Sequence, residues 1–233
     1  MREVSVVVPT YNEEENIKDF LEEVGSELED YNYEILIVDD SDDATAEIVK
    51  EMQEENDRIS ILEREGKRGI GSAYKEGFEA AEGEKIVQMD ADFSHRPDQV
   101  EKLLEALEEN DVAVGSRYVS GGKRQDPVWR RINPLIGSYI YRYALGSPVA
   151  DVTSGFKAYR HEILEELPEE LPDGFHFQAA SLMALLDSGA DIEEVAIDFQ
   201  PRRAGEPKYS LEDLLDNIKL MLRLFQEKRL KYR

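Results

Sequence analysis

The sequence has 233 residues, of which 52 are acidic and 28 basic, so its formal net charge is −24, and it contains no cysteine. This length fits one large domain, or one domain with an appendage. Hydrophobic residues make up 41% of the sequence, which is enough to form a sizeable core. The charge argues against nucleic-acid binding, which requires a basic surface, and the absence of cysteine excludes disulfides, thiolate zinc sites and cysteine nucleophiles. Such an acidic surface fits a halophilic organism with a salty cytoplasm, because salt screens charge repulsion.

The N-terminus leads directly into an apolar run at Val4–Val8 and has neither the length nor the small-residue cleavage site of a signal peptide. No stretch approaches the roughly 18 apolar residues that a transmembrane helix requires. We therefore expect a cytoplasmic protein that is soluble or attached peripherally to the cytoplasmic face of a membrane.

The first half of the chain alternates apolar runs with helical periodicity. Strands are predicted at 4–8, 33–38, 59–62, 85–89 and 111–115, and helices at 12–24, 44–54, 72–81 and 97–108. Later segments predict a loop at 120–127, an aromatic helix at 129–145, a strand or turn at 153–159, a loop with a helix at 174–186, a short strand at 194–199 and a helix at 209–233. This alternation indicates an α/β fold with a mostly parallel central sheet flanked by helices.

Asp90 and Asp92 follow the predicted strand at 85–89 and lie one residue apart. Ligands bind at the carboxyl ends of strands in open α/β sheets, and side chains at i and i+2 of an extended chain point to the same side. Mg²⁺ and Mn²⁺ prefer carboxylate oxygens and can complete their coordination with substrate phosphates. The spacing therefore indicates a metal–diphosphate site, and the alternative is a solvated acidic loop.

Other polar residues follow predicted strands at Pro9–Glu13, Asp39–Asp40 and Lys67–Gly71. The carboxyl ends of parallel strands gather along one edge of a sheet, so these residues can form one site with the two aspartates. The tyrosine of the first segment can cover a nucleobase, and Glu13 or Asp40 can accept hydrogen bonds from a base or ribose. For each acid taken alone, the alternative is a helix cap or a turn residue.

The segment Gly69–Tyr74 lacks the third small residue of the dinucleotide-binding fingerprint, because Tyr74 stands at that position. It also follows the third predicted strand instead of the first, so a dehydrogenase is rejected. The segment is either a glycine turn that brings Lys67 and Arg68 to the site or a flexible loop.

Several basic residues lie in loops and call for an explanation in so acidic a chain: Arg117, Arg130, Arg131, Arg202, Arg203 and Lys208. Arginine presents a planar fork that fits phosphate oxygens. As a set these residues indicate an anion pocket, whereas salt bridges with the acidic surface are the alternative for each one alone.

Short motifs occur in order at Val8–Glu13, Val38–Ser41, Gly71–Ala73, Met89–His95, Gly115–Tyr118, Asp151–Phe156 and Arg202–Glu206. On these motifs the chain resembles the family 2 glycosyltransferases, most closely the dolichol-phosphate (polyprenol-phosphate) mannosyltransferases. The resemblance covers residues 4–208 and implies a single-domain GT-A nucleotide-sugar transferase fold. It implies a catalytic domain at 1–208, with its nucleotide-sugar part at 1–117 and its acceptor part at 118–208, and an amphipathic helix with a basic tip at 209–233.

By this resemblance, the chain transfers mannose from GDP-mannose to dolichyl or polyprenyl phosphate and inverts the anomeric centre. Mg²⁺ or Mn²⁺ would bind Asp90 and Asp92. Catalysis would depend on Asp92, Arg117 and Arg202. The acceptor phosphate would contact Arg117 and Arg130 or Arg131. The nucleotide-sugar donor would be bound by Pro9, Tyr11, Glu13, Val38, Asp40, Asp90, Ala91, Asp92, Ser94, Arg202 and Lys208.

The motifs depart from the family pattern in two places. Pro207 replaces a serine within Gly205–Lys208, which removes a hydroxyl and a backbone donor. Trp129 lies directly beside Arg130 and Arg131, so either arginine can match the family's spaced Trp-x-x-x-Arg pattern.

A lipid acceptor implies contact with a membrane surface. The aromatic helix can form an interfacial face, and the basic tip of the last helix can approach anionic lipid. The alternative is that both helices pack on the sheet and the tail is solvated. Some members of the family carry membrane helices after the catalytic domain, so a separate membrane-anchoring subunit is a further candidate partner.

Three other functions compete with this one. A transferase that uses UDP-glucose or another UDP-sugar, with the same lipid or with a non-lipid acceptor, has a similar nucleoside pocket. The sequence does not distinguish guanine from uracil. A sugar nucleotidyltransferase would need a glycine-rich first loop, where Pro9–Glu13 stands instead. A non-catalytic scaffold would lack site carboxylates, yet Asp40, Asp90 and Asp92 are present.

Overall fold

The structure is a computed structural model that describes residues 2–125, 142, 146–204, 218–220 and 222–223. Within these residues the strands are β1 (Arg2–Thr10), β2 (Tyr33–Asp39), β3 (Ile59–Glu63), β4 (Gly83–Gln88), β5 (Val112–Ser116), β6 (Lys123–Arg124), β7 (Lys157–Arg160), β8 (Ile192–Ala196) and β9 (Asp198–Phe199). The α-helices are α1 (Ile17–Glu27), α2 (Thr45–Glu55), α3 (Ile70–Ala80), α4 (Val100–Ala106) and α5 (Phe177–Ser188). Short 3₁₀ helices span Pro97–Gln99 and His161–Glu166.

Seven strands form one sheet in the order β3-β2-β1-β4-β7-β5-β8, and β6 pairs with β9 outside it. In the large sheet β7 runs antiparallel to β4 and β5, whereas the other pairings are parallel. The prediction of an α/β fold with a mostly parallel sheet is therefore confirmed. The register sets Thr10 opposite Asp39 and Val7 opposite Gln88, so β1, β2 and β4 end at the same edge.

Helices cover both faces of this sheet. Phe20 of α1 is buried in one layer, together with residues of α2 and α4. On the opposite face α3 and α5 meet, and Tyr74 and Phe177 stack with their ring centroids 5.9 Å apart. Successive residues of β1 supply both layers, since Val6 packs in the first and Val7 in the second, as the period of two in a strand requires.

Some predicted boundaries differ from the observed ones. The helix predicted at 97–108 divides into the 3₁₀ turn at Pro97–Gln99 and the shorter α4. The loop predicted at 120–127 contains β6, because the Lys123 backbone N–H donates to the Ile197 carbonyl at 2.8 Å. The partner strand lies more than 70 residues further along the chain, so the local sequence pattern does not show this pairing.

The helices predicted at 129–145 and 209–233 lie largely outside the described residues, and with them Arg130, Arg131, Lys208 and the basic tip. Positions 142, 218–220 and 222–223 are described and are helical. None of the described helices combines the length and the hydropathy that crossing a bilayer requires.

Helix α3 lies close against the sheet at Gly77. A Cβ atom built on Gly77 would lie 2.3 Å from Val7 Cγ1 and 3.1 Å from Val38 Cγ2. Both valines are fully buried, and close-packed neighbours leave them little room to move aside. The absence of a side chain at this position therefore sets the distance between α3 and the strands that end at the site.

We expect Gly77→Ala to lower the free energy of unfolding by about 1–3 kcal/mol, because the cost of overpacking exceeds the gain in helix propensity. Gly25→Ala in α1 is the matched control, since its nearest neighbour is the Tyr33 hydroxyl oxygen at 3.0 Å, the outer end of a side chain. Urea unfolding of both variants and the wild type gives the comparison. A Gly77→Ala variant as stable as the wild type would contradict the close packing.

Candidate active site

The loops after β1 and β2 are tied together by hydrogen bonds. Asp39 accepts a bond from the Thr10 hydroxyl at 2.5 Å and another from the Ser41 hydroxyl at 2.6 Å. The Asn12 backbone N–H in turn donates to Ser41 Oγ at 2.8 Å. Asn12 has a φ of 55°, a left-handed conformation that asparagine adopts more readily than most residues. This network fixes the path by which the chain leaves β1 and enters α1.

Glu13 is a buried carboxylate that links distant parts of the chain. Its backbone N–H donates to Thr45 Oγ1 at 2.9 Å, and its Oε2 accepts a bond from Asn16 Nδ2 at 2.8 Å. Its Oε1 accepts a bond from Arg202 Nη1 at 3.2 Å. These contacts join the start of α1 to α2 and to the segment after β9.

Asp40 is paired with an arginine that the sequence analysis did not select. Arg64 donates from Nε to Oδ1 at 2.7 Å and from Nη2 to Oδ2 at 2.5 Å, and the Arg68 backbone N–H donates to Oδ2 at 3.2 Å. Both side chains of the Asp40–Arg64 pair are almost completely buried. The carboxylate therefore orients Arg64 at the sheet edge. The available signal was a basic residue two positions after the predicted strand at 59–62.

The loop between β3 and α3 is a glycine turn, one of the two alternatives from the sequence. It brings Lys67 Nζ to 4.3 Å from the centroid of the Tyr11 ring, a cation–π contact. Gly69 has a φ of 95°, and a Cβ atom built on it would lie 2.4 Å from the Asp173 carbonyl oxygen. The Gly71 backbone N–H donates to that same oxygen at 2.6 Å. The glycines thus allow a close approach between two main chains.

Asp90 follows β4 and contacts two buried rings. The Tyr74 hydroxyl donates to Asp90 Oδ1 at 3.3 Å, and the Asp90 backbone N–H donates to His95 Nδ1 at 3.2 Å. Burial lowers the pKa of His95, which keeps the ring neutral and able to accept this bond. Loss of solvent also raises the pKa of the Asp90 carboxyl. The side chain nevertheless stays 33% exposed, so it is accessible to a ligand.

Asp92 is buried and ion-paired. Arg202 Nη2 lies 2.8 Å from Asp92 Oδ2, so the same guanidinium bridges Asp92 and Glu13. The Ser94 backbone N–H donates to Asp92 Oδ1 at 2.9 Å, and the Arg203 backbone N–H donates to the Asp92 carbonyl at 3.0 Å. The loops after β1 and β4 and the segment after β9 therefore meet at one arginine.

Arg117 follows β5 and pairs with a fully buried carboxylate. Its Nε donates to Asp151 Oδ2 at 2.7 Å, and its Nη2 donates to Asp151 Oδ1 at 2.6 Å. Asp151 is itself held by its backbone N–H, which donates to Glu194 Oε1 at 3.0 Å. The Arg117 guanidinium lies 5.1 Å from the centroid of Phe199, whose ring centroid is 5.7 Å from that of His95. The Phe199 ring therefore contacts both Arg117 and His95, the histidine that accepts the hydrogen bond from the Asp90 backbone.

The predicted site residues do not all present side chains to the site. Val38 is fully buried beneath α3, and Ala91 is buried in the opposite core layer. The Arg203 side chain pairs with exposed Asp19 of α1 at 2.9 Å. The sequence analysis also missed three supporting residues, Arg64, Tyr74 and His95. The predicted residues that the structure places along the edge where β1, β2, β4 and β5 end are Pro9, Tyr11, Glu13, Asp40, Asp90, Asp92, Ser94, Arg117 and Arg202.

Residues 5–168, more than half of the chain, match glycosyl transferase family 2. The chain belongs to this family. This family 2 glycosyltransferase is 36% identical over 230 residues to dolichol-phosphate mannosyltransferase of Pyrococcus furiosus, an alignment that covers 96% of this chain and 64% of that protein. It is 36% identical over 214 residues to polyprenol monophosphomannose synthase of Mycolicibacterium smegmatis, covering 88% and 80% of the two chains. It thus spans less than two thirds of the Pyrococcus protein.

A solved structure shows the same fold. Glucosyl-3-phosphoglycerate synthase from Mycobacterium tuberculosis, crystallised with Mn²⁺, uridine diphosphate and phosphoglyceric acid, matches this glycosyltransferase with a TM-score of 0.74. The two chains are 21% identical, and the match covers 96% of this chain and 78% of the other. The predicted GT-A fold and the resemblance to family 2 are therefore confirmed.

We expect Arg64→Met to lower the free energy of unfolding by about 3–5 kcal/mol, because it leaves the Asp40 carboxylate buried without its countercharge. Lys50→Met is the matched control, since it breaks an exposed pair with Glu63 and should leave stability unchanged within error. Urea unfolding measures both effects. If Arg64→Met loses no more stability than the control, the buried pair does not support this edge of the sheet.

Proposed function

We propose that the chain transfers mannose from GDP-mannose to dolichyl or polyprenyl phosphate. The two curated relatives support the sugar and the lipid class of acceptor, since one is named a dolichol-phosphate mannosyltransferase and the other a polyprenol monophosphomannose synthase. The observation that carries the proposal is the meeting of Asp92 with Glu13 and Arg202, close to Asp90. The carboxylates of Asp90 and Asp92 are ligands that a divalent cation prefers, and the guanidinium of Arg202 beside them is a group that binds diphosphate.

Asp90 and Asp92 would hold Mg²⁺ or Mn²⁺ on the donor diphosphate. The described residues contain no cluster of three or more histidine, cysteine and acidic side chains suited to a metal ion. Two carboxylates, one of them partly exposed, fit a cation that takes its remaining ligands from water and phosphate oxygens. When bound there, the cation would neutralise charge on the departing diphosphate.

In the proposed reaction an acceptor phosphate oxygen attacks the anomeric carbon of the donor sugar. The new carbon–oxygen bond forms as the bond from that carbon to the nucleoside diphosphate breaks, which inverts the anomeric centre and gives a β-linked glycosyl phospholipid. A phosphate is ionised at neutral pH, so the attack needs no strong general base. The difficult event is departure of the diphosphate, and Arg202 would stabilise its growing negative charge.

Arg117 is our candidate for the acceptor phosphate. Asp151 holds its guanidinium through two hydrogen bonds, and a preorganised guanidinium binds phosphate with less loss of side-chain freedom. Arg130 or Arg131 at the acceptor and Lys208 at the donor complete the proposed anion contacts. These three stay predictions, because they lie outside the described residues.

The lipid acceptor also implies where the enzyme works. We propose peripheral attachment to the cytoplasmic face of a membrane, through the aromatic segment at 129–145 and the basic tip of the chain, with a membrane-anchoring subunit as a candidate partner. Both segments lie largely outside the described residues, so sequence chemistry alone supports this part of the proposal.

We expect the purified protein, in high salt with Mg²⁺ or Mn²⁺ and a polyprenyl phosphate, to transfer label from GDP-mannose into material extracted by organic solvent. A parallel reaction with labelled UDP-glucose tests the competing donor. Label from UDP-glucose alone would keep the fold and the chemistry but overturn the sugar and the base. Absence of extracted label with both donors would contradict the proposal and point to another donor, a non-lipid acceptor or a missing membrane subunit.

We expect Asp92→Ala to retain less than about a tenth of wild-type activity, because loss of a metal-binding carboxylate removes several kcal/mol of transition-state stabilisation. Asp30→Ala removes an exposed acid from the turn before β2 and is the matched control, expected at wild-type activity. The same extraction assay measures both variants. More than a tenth of activity in Asp92→Ala, together with a wild type that resists a chelator, would contradict the metal assignment.

A further inference from the structure

Lys157 lies on β7 and is fully buried inside the protein. Its Nζ donates to both the main-chain oxygen and Oε1 of Gln178, each at 2.9 Å, which joins β7 to the first turn of α5. Burial lowers the pKa of Lys157 to about 7, so the position strongly disfavours the ordinary charged form. An apolar side chain of similar length would fill this space at lower cost. The amine therefore calls for a function that packing does not supply.

Lys157 sets the direction of a chain of hydrogen bonds. It is the donor in both contacts, and the Gln178 amide turns its oxygen towards Lys157. That oxygen also accepts a short bond from Gln88 Nε2. Gln88 Nε2 donates as well to the Gly155 carbonyl at 3.1 Å, and Gln88 Oε1 accepts a bond from the Tyr159 hydroxyl at 3.0 Å. Lys157 at one end and Tyr159 at the other thus fix the orientations of the Gln178 and Gln88 amides between them.

This chain of bonds reaches Asp90 by two routes. Gln88 is the last residue of β4, two positions before Asp90. Gly155 lies against the carboxylate, since a Cβ atom built on it would be 3.5 Å from Asp90 Oδ2 and 3.2 Å from His95 Cε1. The same Cβ would lie 3.7 Å from Gln178 Nε2. The network therefore holds both the strand that carries Asp90 and the main chain beside its carboxylate.

We infer that Lys157 and Gln178 are positioning residues, which hold the Asp90 carboxylate in the orientation that a divalent cation requires. The inference rests on the proposed function, because it takes Asp90 as a ligand of that cation. Neither residue contacts Asp90 through a hydrogen bond of its own, and both act through Gln88 and Gly155. Partners bonded directly to metal ligands typically change metal affinity by about 10- to 100-fold, and these two residues, one contact further out, are expected at the lower end of that range.

The test measures the Kd of Mn²⁺ for the full chain in the presence of GDP, and separately of UDP, from the electron paramagnetic resonance signal of free Mn²⁺. At about pH 8 Lys157 is largely uncharged, so its replacement alters hydrogen bonding more than charge. Lys157→Met is expected to raise the Kd about tenfold or more, and Gln178→Met to do the same. The double variant should add little, because the two residues act as one unit.

Ser5→Ala is the matched control. Ser5 is equally buried and accepts a bond from the Gly83 backbone N–H at 2.8 Å, but it lies towards the opposite edge of the sheet. Its thermal unfolding midpoint should fall, because a buried hydrogen bond is lost, while its Kd for Mn²⁺ stays at the wild-type value. If Lys157→Met does not fold, Gln178→Met decides the question.

A wild-type Kd in the folded variants would overturn the positioning role and leave the proposed function standing. If instead the wild-type protein itself does not bind Mn²⁺ with either nucleotide, the cation assignment falls, and the positioning role falls with it.

Discussion

The parallel pairing of β1 with β2 on one side and β4 on the other is the constraint on which the site depends. It brings three strand ends to one edge, so Glu13, Asp40 and Asp90 lie along the same edge although they are far apart in sequence. The reversed direction of β7 matters as much. Because β7 is antiparallel to β4, the turn that precedes it reaches this edge, and that turn carries Gly155 to the side of Asp90.

The site is not a bare cluster of acids, even though the chain has a net charge of −24. Asp40 is paired with Arg64, Asp151 with Arg117, and Asp92 with Arg202. A buried carboxylate without such a partner would be strongly destabilising. In the proposed reaction, a cation would bind Asp92 in place of Arg202, and the donor diphosphate would bind Arg202 in place of Asp92. Donor binding would then exchange one set of paired charges for another and change the net buried charge little.

Much of the fold follows from local pattern, because strand and helix periodicities differ and their alternation specifies a sheet with helices on both faces. The pair Asp90 and Asp92 is visible for the same reason, since i and i+2 after a strand face one way. A local pattern does not show which residues that are distant in sequence contact each other. Arg64 meets Asp40 across 24 residues. Tyr74 departs from the nucleotide-binding fingerprint, yet its hydroxyl donates a hydrogen bond to Asp90. Periodicity also gives no strand direction, so it does not predict that β7 is antiparallel.

The docking of the main chain at Asp173 onto the start of α3 has a consequence for how phosphate charge is handled. Exposed N–H groups at a helix N-terminus, together with the helix dipole, form a ready anion site. In α3 the N–H groups of Gly71 and Ser72 donate instead to the Asp173 carbonyl, at 2.6 and 3.3 Å. The polypeptide itself thus occupies the place that a pyrophosphate takes in dinucleotide-binding folds. In the proposed reaction, negative charge on the donor would therefore be met by side chains and a cation and not by the N-terminus of α3.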